Sequence, residues 1–159
     1  MEYRQFGNTN LNVSAIGLGC SRLGGNLTQG NQKEAVKMLH LALDSGVNFY
    51  DTADSYGQGQ SERLLGKTFK NNREEVIFAT KAGYCLSPLG NMAAKFKPLL
   101  KPLARSLRAV KSSQFSVNSL SDARSAVLRQ NFDQTYLKNA VENSLKRLQT
   151  DYLDLFQLH

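Results

Sequence analysis

The hydrophobic positions of the chain follow two spacings that alternate along it. Short apolar runs, typical of buried strands, are separated by segments in which apolar residues recur every three or four positions, typical of helices. After an N-terminal β-hairpin, the predicted strands cover residues 15–18, 47–51, 76–80 and 152–158, and the predicted helices cover 31–45, 61–69 and 133–148. Strands and helices that alternate with short connections predict a parallel sheet with helices packed outside, an α/β fold.

Polar residues and glycine mark the ends of the predicted helices. Asn31 and Glu34 fit an N-cap pair at the start of the first helix, and Gly46 is a suitable stop after its last turn. Asp133 is a natural N-cap for the third helix. These signals set the expected helix boundaries.

The 51 residues from 82 to 132 interrupt the alternation as an insertion. The stretch after Pro102 predicts one amphipathic helix, and the serine-rich residues 112–125 predict a mobile loop. The insertion holds eight basic side chains and one acid, Asp122, so it carries the whole net charge of +7. Two interpretations stand for it: a lid over a catalytic rim that attracts anionic ligands, or a solvated surface loop.

Composition limits the class of protein. A chain of 159 residues with 41% hydrophobic and 21% charged side chains is ordinary for one soluble domain over residues 1–159. Since the sequence contains neither a long apolar run nor a basic and then apolar leader, we expect a cytoplasmic protein without a membrane segment. The charge is local and lacks interleaved aromatic residues, which argues against nucleic acid as a partner. Cys20 and Cys85 lack metal-ligand spacing, so we expect two reduced thiols and neither a disulfide nor a bound metal.

Three charged or titratable residues end three of the predicted strands. Asp51, Lys81 and His159 each follow an apolar strand, on the face that the alternating residues of that strand share. The carboxyl ends of parallel barrel strands meet at one rim, where catalytic residues of such barrels lie. A buried ammonium needs a nearby acid, and Asp51 can supply it to Lys81 either as part of a catalytic site or as a purely structural ion pair.

Tyr56 lies in the glycine-containing loop five residues after Asp51. A phenol by itself gives up its proton only well above neutral pH, and an ammonium beside it stabilises the phenolate. Tyr56 near Lys81 is therefore a candidate general acid for a carbonyl oxygen, although a loop tyrosine can equally be a packed ring. His159 can be a core residue or, as a neutral imidazole beside the phenol, a group that orients the carbonyl.

Three sequence blocks carry a resemblance to a known family. They are DTADSYG, which begins at Asp51, the lysine that follows VIFAT, and DYLDLFQLH, which ends at His159. In these blocks and their order, residues 1–81 and 133–159 resemble the aldo-keto reductases. The resemblance implies a (β/α)₈ TIM barrel that transfers a hydride from NADPH, or less often NADH, to an aldehyde or ketone. It also implies that the tyrosine donates the proton, that the lysine and aspartate tune it, and that the histidine orients the substrate.

The same resemblance gives candidate cofactor contacts. By position, Gly19, Cys20 and Ser21 in the loop after the first strand, together with Asp51, face the nicotinamide end of the cofactor. A Rossmann fold is a poor alternative because Arg22 stands where the G-x-G-x-x-G fingerprint needs its last glycine.

The resemblance covers only the first half of such a barrel, through the fourth strand. A complete barrel has about 250 residues, so we expect this chain to be a fragment of a longer protein and inactive alone. A symmetric dimer that closes one barrel from two copies is the less favoured explanation, and exposed half-barrel edges predict self-association. A non-catalytic role in assembly or regulation is the alternative function.

Overall fold

The computed structural model describes residues 1–23, 32–86 and 128–159 of the chain. The chain divides into two compact units, of which the first contains Met1–Gly83 and Phe132–His159 and the second contains Tyr84–Asn131. The predicted insertion covers residues 82–132. The second unit begins two residues later and ends one residue earlier than this segment. The assignment of the whole chain to a single domain stays a prediction.

All three predicted helices and the N-terminal hairpin form. In chain order the described elements are β1 (Tyr3–Gln5), β2 (Asn12–Ser14), β3 (Leu18–Gly19), α1 (Gln32–Asp44), β4 (Phe49–Asp51), α2 (Gln60–Thr68), a 3-10 helix (Arg73–Glu75), β5 (Ile77–Ala82), β6 (Tyr84–Leu86), β7 (Leu128–Gln130), α3 (Gln134–Leu148) and β8 (Leu155–Leu158). Among the described residues, no helix is both long and apolar enough to cross a bilayer.

The strands of the first unit form two sheets. β1 and β2 pair antiparallel, whereas β3, β4, β5 and β8 follow one another as a parallel sheet in that order. A parallel sheet whose neighbouring strands follow one another along the chain, with helices between them, is the arrangement of a partial (β/α)₈ barrel. The predicted fold class is therefore confirmed for this part of the barrel.

The first predicted strand is displaced toward its C-terminal end, because side chains occupy the backbone groups before it. The Ser14 amide donates to Asn48 Oδ1 at 2.7 Å, and the Ser14 hydroxyl donates to the Ile16 carbonyl at 2.8 Å. A carbonyl held by a neighbouring hydroxyl favours a turn over a sheet ladder. Pairing with β4 consequently begins only at Leu18.

The core of the first unit lies between the helices and the outer face of the parallel sheet. Its largest fully buried side chains come from β4, β5 and all three helices or the residues that follow them: Tyr50, Phe78, Leu39, Leu65, Phe69 and Leu148. The α2 and α3 helices approach so closely that a Cβ atom on Gly66 would lie 2.4 Å from the Leu148 backbone. This contact requires glycine at position 66.

Two helix ends agree with the predictions. Gly46 has a φ of 89°, and the amide of Val47 donates to the Ala42 carbonyl at 2.9 Å, which closes α1 with a Schellman motif. Asp133 is the N-cap residue of α3, as predicted, although its side chain makes no capping hydrogen bond. The Asp133 backbone carbonyl instead accepts the Leu137 amide at 2.9 Å.

Within the second unit, the structure describes a short antiparallel hairpin. β6 pairs with β7, and Cys85 lies opposite Arg129. The predicted helix after Pro102, the serine-rich residues 112–125 and the capping residue Asn31 lie outside the described residues.

Candidate functional site

The parallel sheet delivers three of the predicted site residues to one face and one end. Asp51 is the last residue of β4, Lys81 is the penultimate residue of β5, and His159 directly follows β8. In the strand register Asp51 lies beside Ala79, and Lys81 lies beside Gln157. Since neighbours in register share a face and alternate residues return to it, all three side chains arise from the face opposite the helices.

Lys81 and Asp51 form an ion pair at this rim. The Lys81 ammonium donates to the Asp51 carboxylate and, at 2.8 Å, to the Thr52 carbonyl. The lysine side chain is 16% exposed and the aspartate side chain 39% exposed. The ammonium is largely withdrawn from water, whereas the carboxylate is only partly withdrawn. The pair therefore holds the positively charged ammonium in a fixed position just below an open surface.

Tyr56 reaches this pair from the loop between β4 and α2. Gly57, Gln58 and Gly59 follow it with φ values of 57°, 58° and 79°, so three successive residues take the left-handed conformation. This turn brings the chain back to the start of α2, where the Ser61 amide donates to the Tyr56 carbonyl at 3.3 Å. Gln58 is not a glycine, so its left-handed conformation is costly. The glycines on either side adopt this conformation readily and make the turn possible.

The aromatic rings complete the cluster. Lys81 Nζ lies 5.4 Å from the centre of the Tyr56 ring, and the His159 ring stands edge-on to that ring with centroids 5.7 Å apart and an interplanar angle of 84°. The structure therefore brings Asp51, Tyr56, Lys81 and His159 together.

The surroundings of His159 favour the neutral form of its imidazole. Burial lowers the pKa of His159 below its ordinary value, and the Lys81 charge lowers it further, while Asp51 opposes both effects. A neutral imidazole can accept or donate a hydrogen bond according to its tautomer.

A groove of about 410 Å³ runs along the inner face of the sheet and ends at Asp51. Its lining residues are mostly small or apolar: Phe6, Val13, Ser14, Ala15, Gly17, Gly19, Phe49 and Asp51. A Cβ atom added to Gly19 would meet nothing within 4 Å, so the backbone there is open to a ligand beside the carboxylate. Of these lining residues, Gly19 and Asp51 lie at the carboxyl ends of their strands, β3 and β4.

The other two predicted cofactor residues, Cys20 and Ser21, differ in their exposure. Ser21 is exposed, whereas the Cys20 side chain is fully buried and its thiol donates to the Leu18 carbonyl at 3.3 Å. Burial raises the pKa of Cys20 to about 12, with a further rise from Asp51. Cofactor contacts from Gly19, Cys20 and Ser21 stay a prediction.

Sequence reasoning missed a buried polar network behind the rim. Glu62 is fully buried, accepts from the Thr80 hydroxyl at 2.6 Å and pairs with Arg147 Nε at 2.5 Å. Its position offered a signal, because Glu62 falls on the same helical stripe as Leu65 and Phe69. An acid on an apolar stripe needs a buried partner, and Arg147 is that partner.

Asp54 and Tyr136 were also missed. The Tyr136 hydroxyl donates to Asp54 Oδ2 at 3.1 Å, between two residues that are 82 positions apart in the chain. No pattern in a short stretch of sequence predicts such a pair. Within the three described stretches of the chain, no group of three or more histidine, cysteine or acidic side chains could hold a metal ion.

The fold and the rim define a partial (β/α)₈ barrel with an aspartate, a tyrosine, a lysine and a histidine gathered at the carboxyl ends of its strands. The sequence profile of the Aldo/keto reductase family matches residues 15–159. The chain therefore belongs to the aldo/keto reductase family.

Similar proteins agree with this membership. Two curated relatives from Bacillus subtilis, the oxidoreductase YqkF and the aldo-keto reductase YhdN, are each 33% identical to the chain over its full length. The solved holo structure of the aldo-keto reductase AKR11C1 from Bacillus halodurans is 32% identical, with a TM-score of 0.69 over 100% of this chain and 40% of that one. An aldo-keto reductase from Klebsiella pneumoniae, solved in complex with NADPH, is 25% identical, with a TM-score of 0.56 over 93% of this chain and 36% of that one. The chain covers 39% and 38% of the lengths of the two Bacillus subtilis relatives.

Proposed function

We propose that the full-length protein containing this chain reduces an aldehyde or ketone with NADPH as the hydride source. The observation that carries the proposal is the position of the Lys81 ammonium, paired with Asp51 and 5.4 Å from the centre of the Tyr56 ring. Neither a bare ion pair nor a packed ring requires all three groups in one place. A proton donor for a carbonyl oxygen does require them.

The three groups divide the proton chemistry among them. Tyr56 donates its phenolic proton to the carbonyl oxygen of the substrate, which becomes the hydroxyl of the alcohol product. Lys81 stabilises the phenolate that remains, and Asp51 offsets part of the ammonium charge and fixes its position. When NADPH is bound, the cofactor chemistry available at the site is a hydride for the carbonyl carbon.

His159 orients the substrate. Its ring stands edge-on to Tyr56, and burial together with Lys81 keeps the pKa of His159 below its ordinary value. An uncharged imidazole can hydrogen-bond the carbonyl oxygen without competing for the proton that Tyr56 delivers.

The cofactor would be held near the nicotinamide end by Asp51 and by the loop of Gly19, Cys20 and Ser21. The open backbone at Gly19 beside the Asp51 carboxylate supports this assignment. The choice of NADPH over NADH is supported by the Klebsiella pneumoniae reductases, which were solved in complex with NADPH and with NADP and acetate.

We also propose a cytoplasmic location and a small carbonyl compound as the substrate. Two free cysteines, one of them fully buried, suit a reducing compartment. Self-association through sheet edges stays a prediction that size-exclusion chromatography of the full-length protein can test.

The decisive experiment compares the full-length wild type with Tyr56→Phe in the oxidation of NADPH by a reactive aromatic aldehyde. Loss of a general acid lowers kcat by about 10² to 10⁴-fold, while the dissociation constant of NADPH stays unchanged. Tyr3→Phe is the matched control, because it removes a tyrosine hydroxyl that bonds the Gly46 carbonyl at 2.9 Å, outside the rim cluster. Equal rates for wild type and Tyr56→Phe would contradict the assignment. A stable assembly that binds no nicotinamide would favour a non-catalytic role.

A further inference from the structure

The loop that carries Tyr56 is held at two points that lie outside the four rim residues. Residues 52–59 connect β4 to α2, and the amide of Asp54 donates to the Lys81 carbonyl at 3.0 Å. Tyr56 itself makes local backbone hydrogen bonds, to Ala53 and Ser61. The phenol is therefore positioned by whatever fixes the two ends of this short loop.

The far end of the loop is fixed by close packing. A Cβ atom on Gly59 would lie 2.5 Å from Cδ of Arg147, whose guanidinium is in turn tied to the buried Glu62. The α3 helix therefore presses on the chain three residues after Tyr56. This contact prevents the loop from moving toward α3 at that end.

The near end is fixed by a side-chain hydrogen bond from the same helix. The hydroxyl of Tyr136, in the first turn of α3, donates to Asp54 Oδ2 at 3.1 Å. Asp54 Oδ1 is buried and has no hydrogen-bond partner among the described residues. A buried carboxyl oxygen without a partner is costly, so the bonds to the other oxygen matter for keeping this side chain in place. Tyr136 supplies a side-chain bond from α3, and the Ser55 backbone adds a local one.

The electrostatic surroundings agree with this dependence. Burial raises the pKa of Asp54 and Glu62 adds to the rise, while the Tyr136 hydrogen bond, Arg147 and a backbone hydrogen bond from Ser55 oppose it. The carboxylate form is thus disfavoured by burial and supported by Tyr136 and Arg147, both on α3, and by the Ser55 backbone within the loop. The proposed proton transfer does not use Asp54. The presence of a carboxylate in this partly desolvated loop therefore needs another explanation.

We propose that Asp54 and Tyr136 form a positioning pair that holds the Tyr56 loop at the distance from Lys81 and His159 that proton donation needs. The inference rests on the proposed reductase function. The pair touches neither substrate nor cofactor and acts through the loop backbone, two residues before Tyr56. Because a displacement of about 1 Å in a reacting group can cost about 10²-fold in rate, a contact this close to the donor has a large effect on turnover.

The test uses the full-length protein and four variants. Tyr136→Phe removes the hydroxyl and keeps the ring, and we expect kcat to fall about tenfold with little change in the KM for NADPH. Asp54→Ala should cause a similar loss. Asp54→Asn should stay within about threefold of wild type, because the amide oxygen can still accept the Tyr136 hydroxyl proton. Tyr3→Phe, the matched loss of a tyrosine hydrogen bond, should leave kcat unchanged.

The double variant of Asp54→Ala with Tyr136→Phe separates this pair from unrelated effects. If the two side chains act through one bond, the double variant loses no more activity than either single variant. Losses that multiply, an unchanged kcat in Tyr136→Phe, or an equal loss in Tyr3→Phe would each overturn the proposal.

A readout without turnover keeps the two proposals distinguishable. Hydrogen exchange of the peptide covering residues 52–61 should be faster in Tyr136→Phe than in wild type and unchanged in Tyr3→Phe. If the wild type reduces no carbonyl compound and this exchange difference appears, the reductase function fails while the positioning contact stands. If activity is present and the exchange rates are equal, the positioning proposal fails alone.

Discussion

Replacing Arg147 with methionine is expected to destabilise the protein more than any neutral change at its partner Glu62. The two side chains form an ion pair between α3 and α2 at 2.5 Å. Glu62 is fully buried, whereas the Arg147 side chain is 18% exposed. The substitution therefore leaves a carboxylate that water cannot reach, which still accepts a hydrogen bond from the Thr80 hydroxyl at 2.6 Å.

The magnitude follows from this asymmetry. Breaking a buried pair by removing one partner costs about 3–5 kcal/mol, because the other charge stays desolvated. Glu62→Gln removes the negative charge, keeps an oxygen for Thr80, and leaves a guanidinium that still donates to the Ser144 hydroxyl at 3.1 Å. Its cost should be about 1–2 kcal/mol, that of one lost charged hydrogen bond, because the guanidinium that remains is 18% exposed and can be partly solvated.

Urea unfolding of the full-length protein and its variants measures both values. The free energy of unfolding is taken from the linear dependence on urea, provided that the slope stays constant. Glu62→Met combined with Arg147→Met should be more stable than Arg147→Met alone, because it removes the orphaned carboxylate. If Arg147→Met costs no more than Glu62→Gln, the carboxylate is not desolvated in the way that its burial indicates.

Two further outcomes can be checked on other residues. An NMR titration should give His159 a pKa below 6.5, and Lys81→Met should raise that pKa, because burial and Lys81 both lower it. As the pH falls through 6.5, the unfolded chain takes up a proton that the folded chain does not. This residue therefore makes the free energy of unfolding decrease with acidification. A pKa at or above 6.5 would contradict the described surroundings. Gly66→Ala should lower the free energy of unfolding by about 1–3 kcal/mol or more, since its Cβ would lie 2.4 Å from the Leu148 backbone. Gly19→Ala should leave the free energy of unfolding almost unchanged, because its Cβ would meet nothing within 4 Å. Equal thermal midpoints for the two glycine variants would refute the packing argument.

The order of elements and the ends of three strands follow from local patterns. Apolar periodicity identifies β4, β5, β8 and the helices between them, because burial of one face imposes a spacing that is visible in any short window. Parallel strands gather their carboxyl ends at one edge, so the sequence pattern alone predicts Asp51, Lys81 and His159 on one rim. The same reasoning set the end of α1 at Gly46, where a left-handed residue was needed.

Contacts between distant parts of the chain depend on the tertiary structure. The bond between Asp54 and Tyr136 spans 82 positions, and that between Glu62 and Arg147 spans 85. Whether Cys20 faces a ligand or the core likewise depends on how the loop after β3 packs. Local propensity describes how one segment buries its own face, whereas these contacts arise only when helices dock on the sheet at a particular distance and rotation, which no short stretch of sequence encodes.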